Sequence, residues 1–200
     1  MRAAASPALA EQFRFWWLDH AEHIPAASIP ARSRPVPTTR LIDFGGGHEA
    51  ALDAMVAWVE RGVAPPPSTA FVLDAQDKAL RLPESAGDRF GIQPVAVATA
   101  NGSARAEVRV GEAVTFAVDA AAPPEGGAIV EIAWDLDGSG TWPEVHRPAP
   151  APSVRHEVSY TYDEPGTYFP AARVVSHLAG NPDDAFARVT NLGRCRVVVR

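Results

Sequence analysis

The sequence predicts a mainly β protein: an antiparallel β-sandwich over its second half, preceded by a small α/β segment of one strand, a long proline-rich loop and one helix. Three observations carry this reading. Fifteen glycines and 19 prolines in 200 residues favour short elements and many turns over a helical bundle. From Ile92 onward, apolar residues alternate with polar ones in short runs separated by Gly, Pro, Asn and Asp clusters, as strands of an antiparallel sheet do. Before Ile92, a helical period occurs over Glu49 to Arg61, where Leu52, Met55, Val56 and Val59 recur at i, i+3, i+4, i+7,.

Taken in order, Phe13-Arg14-Phe15-Trp16-Trp17-Leu18 is aromatic-dense and predicts a buried strand. The stretch from Ile24 to Thr39 carries Pro25, Pro30, Pro35 and Pro37, each lacking a backbone donor, and reads as a loop. Gly45-Gly46-Gly47 precedes the helix, Gly62 supplies a left-handed stop, and Pro65-Pro66-Pro67 prevents resumption,. The triple glycine lacks the Gly-x-Gly-x-x-Gly spacing of a phosphate cradle. Residues 1–91 are expected to lack a complete core of their own, because one strand and one helix cannot cover each other on all sides, and the Leu52, Met55, Val56, Val59 stripe is expected to pack on the Phe13–Leu18 strand. Polar, irregular residues 82–91 read as a linker, which divides the chain into 1–81, 82–91 and 92–200.

In the last part, strands are expected near Val95–Ala100, Arg105–Val110, Ala113–Asp119, Ile129–Leu136, His156–Tyr162, Tyr168–Ser176 and Arg194–Val199. Seven short strands in about a hundred residues fit an immunoglobulin-like sandwich. Val114, Phe116, Ile132, Trp134, Val174 and Val198 are expected inside it. Pro170 interrupts its run and implies an edge or a bulge.

Composition excludes several functions. A net charge of −6 argues against a phosphate-tracking nucleic-acid surface. A single cysteine, Cys195, excludes an internal disulfide and a Cys-based zinc cage; its apolar-alternating strand predicts a buried, inert thiol. No window offers the roughly 18 apolar residues of a membrane span. The first ten residues, broken by Pro7, make a poor secretory signal.

Two stretches carry a family resemblance. Ile132-Ala133-Trp134-Asp135-Leu136-Asp137-Gly138-Ser139-Gly140-Thr141, followed by Tyr160-Thr161-Tyr162-Asp163-Glu164-Pro165-Gly166-Thr167-Tyr168, resembles the two signatures of a PKD domain, with Gly111 to Phe116 upstream in the usual place. The resemblance covers about residues 92–200. It departs from the family's regular alternation at Phe169-Pro170-Ala171. It implies an extracellular or cell-envelope accessory module with a polysaccharide or protein partner. Over residues 11–68, the Phe-Arg aromatic run leading to Asp19-His20-Ala21-Glu22-His23, with a helix behind it, resembles the C-terminal end of a tannase- or feruloyl-esterase-like α/β-hydrolase. The family's glycine-rich loop before the histidine is absent. That resemblance places His23 at the catalytic histidine and implies a parent hydrolase domain in the same polypeptide. The triad order of that fold puts its histidine last in the chain. No Gly-x-Ser-x-Gly elbow is present; Ser103 and Ser139 sit beside glycines without that pattern. The chain alone is therefore expected not to hydrolyse esters.

The remaining candidates are metal ligands and aromatics. Asp135, Asp137 and Ser139, with Gly140, stand at positions 1, 3, 5 and 6 of a calcium-loop pattern, and Glu144 is an added candidate ligand,. Position 12 is His146, where a calcium loop would place glutamate, and an Asp/Gly-rich turn is the competing reading. His20 and His23 with Glu22 lack the zincin spacing His-Glu-x-x-His. No other cofactor is indicated. Trp134, Tyr162 and Tyr168 read as core, and Trp142, in a Thr-Trp-Pro turn, as an exposed aromatic. The functions in play are a non-catalytic accessory module of a larger secreted hydrolase, an esterase-type hydrolase using His23, and a carbohydrate- or protein-binding adhesion module.

Overall fold

The structure, a computed structural model, describes residues 11–24 and 39–200. The expected proline-rich loop falls almost wholly outside the described residues, as do the first ten. The elements are α1 (Gly45–Arg61), a two-strand ribbon of β1 (Val72–Leu73) and β2 (Leu80–Arg81), and a short α2 (Ala86–Arg89). The sandwich follows as β3 (Val95–Ala100), β4 (Arg105–Val108), β5 (Ala113–Ala121), β6 (Ala128–Asp135), β7 (Glu144–His146), β8 (Ser153–Thr161), β9 (Gly166–Tyr168), β10 (Ala171–His177), β11 (Arg188–Arg194) and β12 (Arg196–Val199). No described helix is long and apolar enough to cross a membrane.

One layer is the antiparallel sheet β3-β5-β8. The other is built in two pieces, β11-β10-β6-β7 and β4-β12-β9. Pro170 separates β9 from β10 and Cys195 separates β11 from β12, and the Cys195 N–H donates to the Pro170 carbonyl at 3.1 Å, carrying the ladder across both breaks. Proline has no N–H of its own to pair at that point, so the interruption expected at Pro170 falls where the strand divides. β12 runs parallel to β4 and antiparallel to β9. The result is an immunoglobulin-like sandwich.

Alternation decides what lies between the layers. Val114, Phe116 and Val118 from β5 meet Ile132 and Trp134 from β6 and Ala172 and Val174 from β10. Trp134 is fully buried, with its ring 5.9 Å from that of Phe116. Tyr162 closes one end, its hydroxyl donating to the Leu136 carbonyl at 2.7 Å. The last strand corrects the expectation for Val198. Val197 and Val199 are the buried pair, because Arg196 and Arg200 hold the solvent side and fix the phase of the period-two pattern.

The front segment departs further from expectation. Phe13–Leu18 forms no ladder strand. Its partner stretch is Pro65-Pro66-Pro67, which has no backbone donors. Side chains substitute: the Phe15 and Trp17 N–H groups donate to Ser68 Oγ and Thr69 Oγ1, both at 3.0 Å, and Trp16 Nε1 donates to the Pro66 and Pro67 carbonyls. Phe13, Phe15 and Trp17 are exposed rather than buried. Residues 82–91, read as a linker, contain α2, capped by the Ser85 hydroxyl accepting from the Asp88 N–H.

The helix is four residues longer at its start than its hydrophobic pattern and reversed in orientation. Its expected core stripe is outside, with Leu52 at 51%, Met55 at 53% and Val59 at 80% exposure, and Val56 exposed as well. Gly47 and Ala50 are buried instead. A Cβ on Gly46 would stand 2.0 Å from the Arg188 carbonyl oxygen, and one on Gly47 2.5 Å from Leu18 Cδ1. The glycines let the helix backbone lie directly on β11, so close contact rather than side-chain size chose the buried face. Gly62 ends the helix in the left-handed conformation, as expected,.

Candidate functional site

The Asp135 loop is built from the end of β6. The Asp135 carboxylate is buried and accepts three backbone N–H groups, from Gly138 at 2.7 Å and Ser139 at 3.2 Å on Oδ1 and from Gly140 at 2.6 Å on Oδ2. Asp137 Oδ1 accepts the Ser139 N–H at 2.9 Å, and the Ser139 and Thr141 hydroxyls bond each other at 2.8 Å. Burial pushes the Asp135 carboxyl above its usual range against the pull of its N–H donors, whereas the Ser139 N–H and hydroxyl hold Asp137 below it. Glu144 lies apart on β7, opposite Trp134. Calcium requires six to eight oxygens; here the Asp135 oxygens are already committed to closing a turn. Among the described residues no group of three or more His, Cys, Asp or Glu side chains is placed to hold a metal ion.

His23 is exposed at a bend, and no serine or carboxylate hydrogen-bonds it among the described residues. His20 is the histidine that is held. It adopts a positive φ of 59° and its Nδ1 lies 3.0 Å from Asn191 Oδ1. Buried Asn191 donates through Nδ2 to the Pro94 carbonyl, and buried Gln93 donates to the carbonyls of Asp19 and Thr190 while accepting the Asp19 N–H. This amide network fastens the front segment to β11. A buried amide in an otherwise polar stretch such as Arg188-Val189-Thr190-Asn191 has no periodic signature, so sequence reasoning missed both the network and β11.

A histidine pair joins the layers at one edge. The rings of His146 on β7 and His156 on β8 stack 4.3 Å apart at an interplanar angle of 9°. Trp134 Nε1 donates to His156 Nδ1 at 3.2 Å. Desolvation first, then the nearby His146 ring, lowers the affinity of His156 for a proton, against a smaller opposite effect from Glu144.

The outer face of the β6, β10 and β11 ladder carries an arginine cluster. Glu131, nearly buried, is approached by Arg188 Nη2 at 3.0 Å, Arg173 Nη2 at 3.3 Å and Arg147 Nε at 3.5 Å. Arg173 also lies over the Trp142 ring, 5.0 Å from its centroid. Trp142 is thus a half-buried member of this face, while Trp134 and Tyr162 belong to the core and Tyr168 packs against it. Elsewhere, a cavity of about 340 Å³ opens between α1 and the front segment, lined by Trp16, Leu18, Met55, Trp58 and Ile92. Cys195 is buried, which pushes its thiol up to about 12.

No family model matches the chain and no curated protein matches it. Among solved structures it is similar to the PKD domain of an M14-like peptidase from a Thermoplasmatales archaeon, at 17% identity, TM-score 0.40, over 55% of this chain and 98% of that one. It is also similar to a CARDB domain from Pyrococcus furiosus, a crystal structure in complex with di-metal ions, at 13% identity, TM-score 0.40, over 54% and 88%. A solution structure of that CARDB domain gives 18% identity, TM-score 0.38, over 55% and 97%. By its own strand order, the second half of this chain is an immunoglobulin-like sandwich.

Proposed function

We propose that the chain is a non-catalytic accessory module that, in its parent protein outside the cell, stands behind a hydrolase domain and meets it through the front segment. One observation carries this reading. α1 spends its small-residue face on β11 and presents Leu52, Met55, Val56 and Val59 outward. A helix that seats its glycines and alanines on its own domain and turns its large apolar side chains away is shaped to lie between two folded bodies. The resemblance of residues 11–68 to a hydrolase tail supports the same arrangement.

The esterase reading requires His23 to work as a base on a nucleophile within hydrogen-bond reach, and no serine hydrogen-bonds it among the described residues. The test has two parts. The purified chain should show no turnover of p-nitrophenyl esters above buffer, with His23→Ala indistinguishable. The coding sequence upstream of Met1, read in frame, should contain a Gly-x-Ser-x-Gly elbow. Saturable esterase activity lost in His23→Ala, or an in-frame stop shortly before Met1, would overturn the proposal.

A further inference from the structure

The arginine cluster has more charge than its structural role needs. One cation suffices to offset a nearly buried glutamate, yet three guanidinium groups converge on Glu131, and it is the sole carboxylate within ion-pair distance of any of them among the described residues. This surplus of positive charge stands on a chain whose net charge is −6. Arg147 keeps 70% of its side chain in solvent and makes its single ion pair among the described residues through Nε, at 3.5 Å. On the same face, the Trp142 indole lies against the Arg173 guanidinium, 5.0 Å from the ring centroid.

We infer that this face of β6, β10 and β11 binds an acidic polysaccharide, a chain of carboxylate-bearing sugars. Guanidinium forks match the geometry of carboxylates, and an indole offers a flat apolar surface to a sugar ring. An extended acidic peptide is less well served. Arg173, which lies over the Trp142 indole, stands on β10, and β10 is paired on both sides by β6 and β11, so no free strand edge lies beneath this arginine–indole pair for a peptide backbone to join. The inference deepens the accessory-module reading by giving the module a ligand, and it stands whether or not the parent is a hydrolase.

The experiment is affinity electrophoresis of the full chain in gels containing polygalacturonate, dextran or poly-L-glutamate, at 20 mM and 500 mM salt. Retardation by polygalacturonate at low salt, its loss at high salt and free migration in dextran are expected. Arg147→Ala and Trp142→Ala should each weaken that retardation by about tenfold, on the scale of one charge-assisted contact, with Arg147→Lys intermediate. Thermal melts of each variant control for folding; if Trp142→Ala does not fold, exposed Arg147 alone decides. Free migration of the wild type in polygalacturonate overturns the inference. So does unchanged retardation of Arg147→Ala. Equal or stronger retardation by poly-L-glutamate would also overturn it and assign the face to acidic proteins. Ester turnover is not measured in this experiment, so its failure is separable from failure of the accessory-module proposal.

Discussion

The indole N–H of Trp134 points at His156 Nδ1 across 3.2 Å, from β6 in one layer to β8 in the other. An indole nitrogen can only donate, so His156 Nδ1 must carry its lone pair and the proton of the neutral ring sits on Nε2. A protonated His156 would turn two donors on each other beside the largest side chain of the core, and would do so against the stacked His146 ring.

The first prediction follows from that pair. Protonation of His156 is disfavoured in the folded chain, so its pKa lies below the ordinary 6.5, and the unfolded chain binds more protons in the window between the two values. Stability therefore rises with pH through that window: it is full above about 6.5 and is lost progressively as pH falls below it. Urea midpoints at pH 7.5 and 5.0 should differ more for wild type than for His156→Phe. Equal differences would remove His156 from the account.

Gly46 fixes how α1 sits. With a Cβ 2.0 Å from the Arg188 carbonyl, Gly46→Ala must displace the helix or β11, at a cost of about 1–3 kcal/mol. The comparison is Gly62→Ala, where open space surrounds a left-handed φ of 69° and about 1 kcal/mol is lost to backbone strain alone. Chemical denaturation measures both. Limited proteolysis of Gly46→Ala should also cut the front segment sooner.

The outward stripe should be dispensable in the isolated chain. Leu52→Gln and Val59→Glu are expected to change stability by no more than about 0.5 kcal/mol, as at ordinary surface positions. Ala50→Leu, on the buried face, should cost about 1–3 kcal/mol by overpacking. A large loss at Leu52 would show that the stripe is core.

Asp135 organises its loop by accepting the Gly138, Ser139 and Gly140 N–H groups. Asp135→Ala leaves three backbone donors without their acceptor and should destabilise the sandwich by about 2–3 kcal/mol. Added calcium, at 5 mM, should leave the melting temperature of the wild type unchanged; a clear rise would mean that the carboxylate oxygens exchange their N–H donors for the ion.

Cys195 should be inert to a disulfide reagent such as DTNB in the native state and react fully in denaturant, because the thiolate is the nucleophile and burial holds its pKa near 12,. Fast labelling of native protein would contradict the packed position of this side chain.

Local pattern by itself determined the sandwich. Period-two alternation located most strands, β3 to the residue, and placed Trp134, Phe116 and Val174 inside; Pro170 marked the break in its strand and Gly62 the end of the helix. These are properties of the backbone and of neighbouring side chains, and they are written in consecutive residues. Tertiary structure alone decided the rest. The stripe of Leu52, Met55, Val56 and Val59 has the spacing of a core-facing helix, yet its orientation was set by Gly46, whose lack of a side chain allows contact with β11 some 140 residues away in the chain, and by Gly47, which makes room for Leu18. Phe13–Leu18 has the composition of a strand but meets a triple proline that has no donors to pair with it. The His146–His156 stack, the Asn191 amide network and the arginines around Glu131 join residues from separate strands. Such polar contacts depend on which strands become neighbours, and no local periodicity encodes that.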